Sequence, residues 1–163
     1  MKISDECELD YFNRNFKLGC VIYWYCSFIK PRPKYKYLFV CCVDPLILFP
    51  INKEITNYVK NKNLVNTQVV LYKSSHTFLE CDSYIDCHDV FGETNLLYPI
   101  KSEDLKNNAI ESDITCIKGN VTFETIKKVV DTVTAGKTLR KKDKELIIQN
   151  LSSLSTVAVS PLF

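Results

Sequence analysis

Two near-continuous apolar runs, residues 18–28 and 35–43, stand on either side of a short cationic loop, Ile29-Lys30-Pro31-Arg32-Pro33-Lys34. Runs of this length and composition read as β-strands buried on both faces or packed into a small barrel. A proline-stiffened loop between them places fixed positive charge at the rim of an apolar sheet. That arrangement suits a polyanion, so nucleic acid is the first partner class to weigh against a merely solvated hairpin tip.

The rest of the chain continues the pattern. Asp44-Pro45 marks a turn, and Leu46-Ile47-Leu48-Phe49-Pro50-Ile51 reads as a third strand that ends, bulges or lies at an edge near Pro50. Residues 52–66 are polar and read as a long loop with one helical turn. Thr67-Gln68-Val69-Val70-Leu71-Tyr72 is a fourth strand, and Ser83-Tyr84-Ile85-Asp86-Cys87 a half-buried fifth. Leu96-Leu97-Tyr98 and Ile114-Thr115-Cys116-Ile117 read as further strands, separated by an acidic turn or helix after Ser102. From Gly119 the spacing turns helical: Phe123, Ile126, Val130 and Val133 recur after an N-cap at Asn120 or Thr122. A second helix is expected over 139–151, with a tail that frays or docks through Leu162 and Phe163. The expected fold is mainly β (α+β), with an N-terminal arm (1–16), a small barrel (17–118) and a helical appendage (119–163).

With 163 residues, 46% of them apolar, the chain can bury a real core. A net charge of +2 excludes a bulk electrostatic binder, so any affinity for a polyanion rests on local clustering. Arginine occurs only at Arg14, Arg32 and Arg140, which makes Arg32 in the loop conspicuous. Acidic residues near the start, no apolar stretch of roughly 18 residues and cysteines placed within strands lead to the expectation of a reduced, cytoplasmic protein with no membrane span.

Leu18-Gly19-Cys20-Val21-Ile22-Tyr23, Pro31-Arg32-Pro33-Lys34-Tyr35, Leu48-Phe49-Pro50-Ile51 and Leu79-Glu80-Cys81-Asp82-Ser83-Tyr84-Ile85-Asp86, in that order, resemble the PemK/MazF family of toxin endoribonucleases. The resemblance covers residues 17–90 and implies an SH3-like barrel that cleaves single-stranded RNA without metal, pairs as a two-fold homodimer and is neutralised by an antitoxin protein. Active members carry Ser or Thr after the Pro-Ile pair, where this chain has Asn52-Lys53. Two readings stay open: a rearranged catalytic set, or a non-enzymatic barrel that binds protein or nucleic acid.

Metal-independent RNA cleavage needs a base, an acid and a cation for the phosphorane. The resemblance gives Arg32 the cationic role and sets Asp82 and Ser83 at the family's acidic-hydroxyl position. His76, in a polar loop expected to face solvent, suits acid–base work near neutrality. Lys30, Lys34, Tyr35, Asn52 and Lys53 are the expected RNA contacts. Cys81, Cys87 and His88 match no standard ligand spacing, and adjacent Cys87 and His88 point to opposite strand faces, so neither metal nor cofactor is expected. The apolar side chains of the first two strands exceed what one face can bury. The C-terminal helices, a second copy or a partner must cover the surplus.

Overall fold

The two apolar runs form an antiparallel pair, β1 (Cys20–Cys26) and β2 (Lys34–Cys42), in the computed structural model, which describes residues 3–111 and 116–159. β2 pairs with β3 (Ile47–Asn52) in a register that sets Leu38 against Pro50 and Phe39 against Phe49. β4 (Gln68–Leu71), β5 (Ser83–Asp86), the short β6 (Phe91–Gly92) and β7 (Ile117–Asn120) complete one sheet. Its order is β4-β5-β3-β2-β1-β7, with β6 beside β3. The sheet curls into an antiparallel half-barrel, left open because its end strands β4 and β7 do not pair with each other among the described residues.

The strands lack polar alternation because both faces of the sheet are covered. On one face Val21, Phe39, Phe49 and Ile85 pack against Ile126, Val129 and Val133 of α4 (Phe123–Ala135) and Ile147 and Leu151 of α5 (Lys141–Val159). On the other, Ile22, Leu38, Val40 and Leu48 pack against Phe12 of α1 (Ile3–Asn15) and Leu105 of α3 (Ser102–Glu111). Successive residues of a strand feed opposite cores, as the two-residue side-chain period requires.

Both expected C-terminal helices are present. Thr122 caps α4, its hydroxyl accepting the Thr125 N–H at 3.3 Å, and Gly136 ends it. Arg140 at the start of α5 is held by buried Asp143 at 2.9 Å and also donates to the Thr94 carbonyl. α5 runs on to Val159 instead of ending near Leu151, and Leu162 and Phe163 lie outside the described residues.

The N-terminal arm is a helix whose Phe12 is part of the core, and of the turn or helix expected after Ser102 the structure forms the helix. Two expectations change. β5 is more buried than expected, Tyr84 being its one half-buried residue, because β3 and β4 flank it. Leu96-Leu97-Tyr98 is a turn with Leu96 and Leu97 exposed, tied to β6 by a single bond from the Gly92 N–H to the Tyr98 carbonyl at 2.9 Å. Of the strand expected at 114–117, only Cys116 and Ile117 fall within the described residues, and β7 begins at Ile117.

Candidate functional site

The sheet face covered by α1 and α3 changes character along its strands. Leu38 of β2 is apolar and buried, but Lys36 and Lys34, two and four residues back, share its face. Across the ladder Pro50 is followed two residues on by Asn52, and in β5 Asp86 stands opposite Gln68 of β4. The register therefore gathers Lys36, Asn52, Asp86 and Gln68 at one end of an otherwise apolar face. Lys36, Asn52 and Asp86 border a cleft of about 790 Å³ that Lys30, Lys34, Tyr58 and His88 also line. Tyr58 belongs to α2 (Asn57–Asn61), the helical turn expected in the long polar loop, which Thr56 caps and Val59 anchors in the interior.

Asp86 is the hub. Its Oδ1 accepts the Gln68 side-chain amide at 2.7 Å, the backbone N–H of His88 at 3.3 Å and the Nδ1–H of the His88 ring. Burial works against the Asp86 charge, but the bonds from His88 and Gln68 outweigh it and leave the carboxyl below its usual range. The hydrogen bond to Asp86 likewise raises His88 above the ordinary imidazole value, against the opposing effect of burial. With Nδ1 committed to Asp86, Nε2 is the ring nitrogen left for proton transfer, and among the described residues nothing hydrogen-bonds it. The Tyr58 ring lies 5.9 Å from the imidazole.

Lys36 donates to the Asn52 side-chain carbonyl. Burial lowers its ammonium pKa, and the neighbouring Lys34 lowers it further. The nearby Cys26 thiol is pushed up to about 11 by burial, too high for a thiolate nucleophile near neutrality. The cleft thus combines an imidazole oriented by a carboxylate, a partly desolvated ammonium and cations at the rim. That set can move protons and stabilise developing negative charge.

The expected site residues divide. Lys30, Lys34 and Asn52 line the cleft. Arg32 is exposed on the β1–β2 loop, Tyr35 is exposed on the opposite face of the hairpin, and Lys53 pairs with Glu80 at 2.7 Å. His76 is buried rather than solvent-exposed, only 2% accessible, because the β4–β5 connection folds it inward. Its Nδ1–H donates to the Tyr72 carbonyl at 2.9 Å, and its Nε2 accepts the Thr122 N–H at 3.2 Å. Asp82 accepts the Lys73 N–H at 2.8 Å, and the Ser83 hydroxyl donates to the Cys81 carbonyl at 3.0 Å. His76, Asp82 and Ser83 thus each hold the β4–β5 connection in shape, and they do not converge with Arg32 on the cleft.

Cys87 lies in the core while His88 lines the cleft, as their adjacency required. Among the described residues no three His, Cys, Asp or Glu side chains gather so as to hold a metal ion. No helix there is long and apolar enough to cross a membrane. Sequence reasoning missed that Lys36, Asp86 and His88 gather at one cleft. The available signals were a lysine inside an apolar strand and a carboxylate inside a buried one. No protein-family model, curated protein or solved structure matches this chain.

Proposed function

We propose that the protein is a metal-independent endoribonuclease whose working residues are His88, Asp86 and Lys36. One observation carries this reading: an imidazole fixed by a buried carboxylate shares a lysine-rimmed cleft with a second, desolvated cation. In this reaction His88 Nε2 takes the proton of a ribose 2′-hydroxyl, and the 2′-oxygen attacks the adjacent phosphorus. Lys36, made more acidic by burial, stabilises the phosphorane and returns a proton to the departing 5′-oxygen. The P–O5′ bond breaks, leaving a 2′,3′-cyclic phosphate and a free 5′-hydroxyl. Lys30 and Lys34 hold flanking phosphates, and Tyr58 offers a face to an unstacked base.

The PemK/MazF resemblance supports the same substrate and extends the proposal to a partner. An acidic antitoxin lying over the 30–34 loop would neutralise the cations that RNA needs, in a reducing cytoplasm that keeps the thiols free. A second reading, a module that binds RNA without turning it over, is favoured by Asn52 standing where active relatives carry a hydroxyl.

The test is an end-labelled single-stranded RNA incubated with purified protein in EDTA. Cleavage leaving cyclic-phosphate ends, and none on a 2′-O-methyl strand, is the expected outcome. Cleavage of the 2′-O-methyl strand would rule out attack by the 2′-oxygen, and tight binding without cleavage would establish the module.

A further inference from the structure

Among the described residues, the distal half of the β1–β2 hairpin extends beyond its neighbours. There β7 joins β1 over Cys20–Ile22, the Cys116 carbonyl accepts the Tyr23 N–H at 2.7 Å, and β3 reaches β2 no further out than Tyr37, so from Trp24 to Lys36 the ladder of the described residues pairs only with itself. One face of this two-stranded finger carries Lys34 and Lys36 into the cleft. The other carries a tyrosine ladder, Tyr23, Tyr25, Tyr35 and Tyr37, in the paired positions Tyr23↔Tyr37 and Tyr25↔Tyr35. Tyr23 and Tyr35 stack at 5.0 Å and 19°, Tyr23 meets Tyr37 at 4.8 Å, and Tyr25 meets Tyr35 at 5.1 Å.

Tyr37 is tied into the α4/α5 core, but exposure rises outward to 49% for Tyr25 and 57% for Tyr35. Large rings left in water at the end of a projecting finger do little for the fold. Charge around them is biased. Lys118 sits 6.0 Å from the Tyr23 ring, the 30–34 loop begins one ladder step past Tyr25, and the acidic Glu80 near Tyr37 is already paired with Lys53.

We infer that the tyrosine ladder is a second binding surface for single-stranded RNA, over which a strand runs before crossing the 30–34 loop into the cleft. Stacking rings flanked by cations suit a chain that alternates π-faces with phosphates, and the loop joins the two faces of the finger. A two-fold dimer through the same patch would close a cationic rim on itself, which disfavours a second copy as its occupant. The inference rests on the RNA-binding reading above, so the experiment separates the two.

The probes are 2′-O-methyl oligouridines of about four and about twelve nucleotides, bound at low salt and followed by fluorescence anisotropy. The short probe fills the cleft alone; the long one also reaches the ladder. Wild-type protein should bind the long probe at least tenfold tighter than the short one. The double substitution Tyr25→Ala with Tyr35→Ala should remove about tenfold of the long-probe affinity, leave the short probe unchanged and keep the melting temperature. The Tyr→Phe pair should bind as wild type.

Equal wild-type affinities for the two lengths would overturn the ladder and leave the cleft standing. Binding of neither would overturn both. A concentration-dependent dimer that the alanine pair dissolves would assign the patch to a second copy instead.

Discussion

His88 turns back on Asp86, two residues earlier, so that its ring Nδ1–H and its own backbone N–H both bond the same carboxylate oxygen. Gln68, across the ladder on β4, supplies a third donor. The pair therefore depends on strand pairing as well as on sequence proximity, and it fixes which ring nitrogen the cleft can use.

This pairing gives a signed pH dependence. A histidine whose folded pKa is raised adds stability that is complete below about 6.5 and is lost as pH rises through the folded value. A carboxylate whose folded pKa is lowered adds stability that is complete above about 3.9 and is lost as pH falls through the folded value. The pair contributes most between those limits. Thermal melts taken from about pH 6 to about pH 8.5 should fall more steeply for wild type than for Asp86→Asn. Parallel slopes would show that the pair does not titrate as described.

His76 is a structural bridge. It joins the Tyr72 carbonyl to the Thr122 N–H at the start of α4. His76→Ala leaves the Thr122 N–H without its acceptor and empties a buried site, while the Tyr72 carbonyl keeps the Ser75 N–H, and it should cost about 1–3 kcal/mol in urea denaturation. A loss below about 0.5 kcal/mol would return His76 to the functional candidates.

Gly92 has φ of +129°, and a Cβ there would meet the Leu46 carbonyl oxygen at 2.2 Å. Gly92→Ala must move backbone that β6 and β3 share, so a loss of at least about 2 kcal/mol is expected from strain and clash together. An unchanged denaturation midpoint would place this turn in a different conformation.

Lys36 separates stability from function. Burial already disfavours its charge, so Lys36→Met should change stability by less than about 1 kcal/mol. RNA cleavage should fall by roughly 10²–10³, the usual loss when a group stabilising transition-state charge is removed. Comparable losses of stability and activity would make Lys36 a structural residue.

Much of the fold was legible because it rests on local pattern. The strands announced themselves as apolar runs, and α4 through Ile126 and Val133 behind a Thr122 cap. α1 was harder, because Phe12 is its one described side chain fully buried in the core and the rest of the segment is polar. The site was less legible than the fold. Lys36 is far along the chain from the neighbouring Asp86 and His88 and meets them only through the β2–β3–β5 register, which no short motif encodes. His76 misled for the converse reason: its polar neighbours suggested solvent, while the connection turns its ring inward.

The most direct measurement compares wild type, His88→Gln and Arg32→Ala on one labelled single-stranded RNA in EDTA, with folding checked by circular dichroism. His88→Gln should lower the cleavage rate at least about 100-fold while folding normally. Arg32→Ala, on the exposed loop, should keep most of the activity. A His88→Gln protein that cuts at the wild-type rate would contradict the account, as would a folded wild-type protein that cuts no RNA.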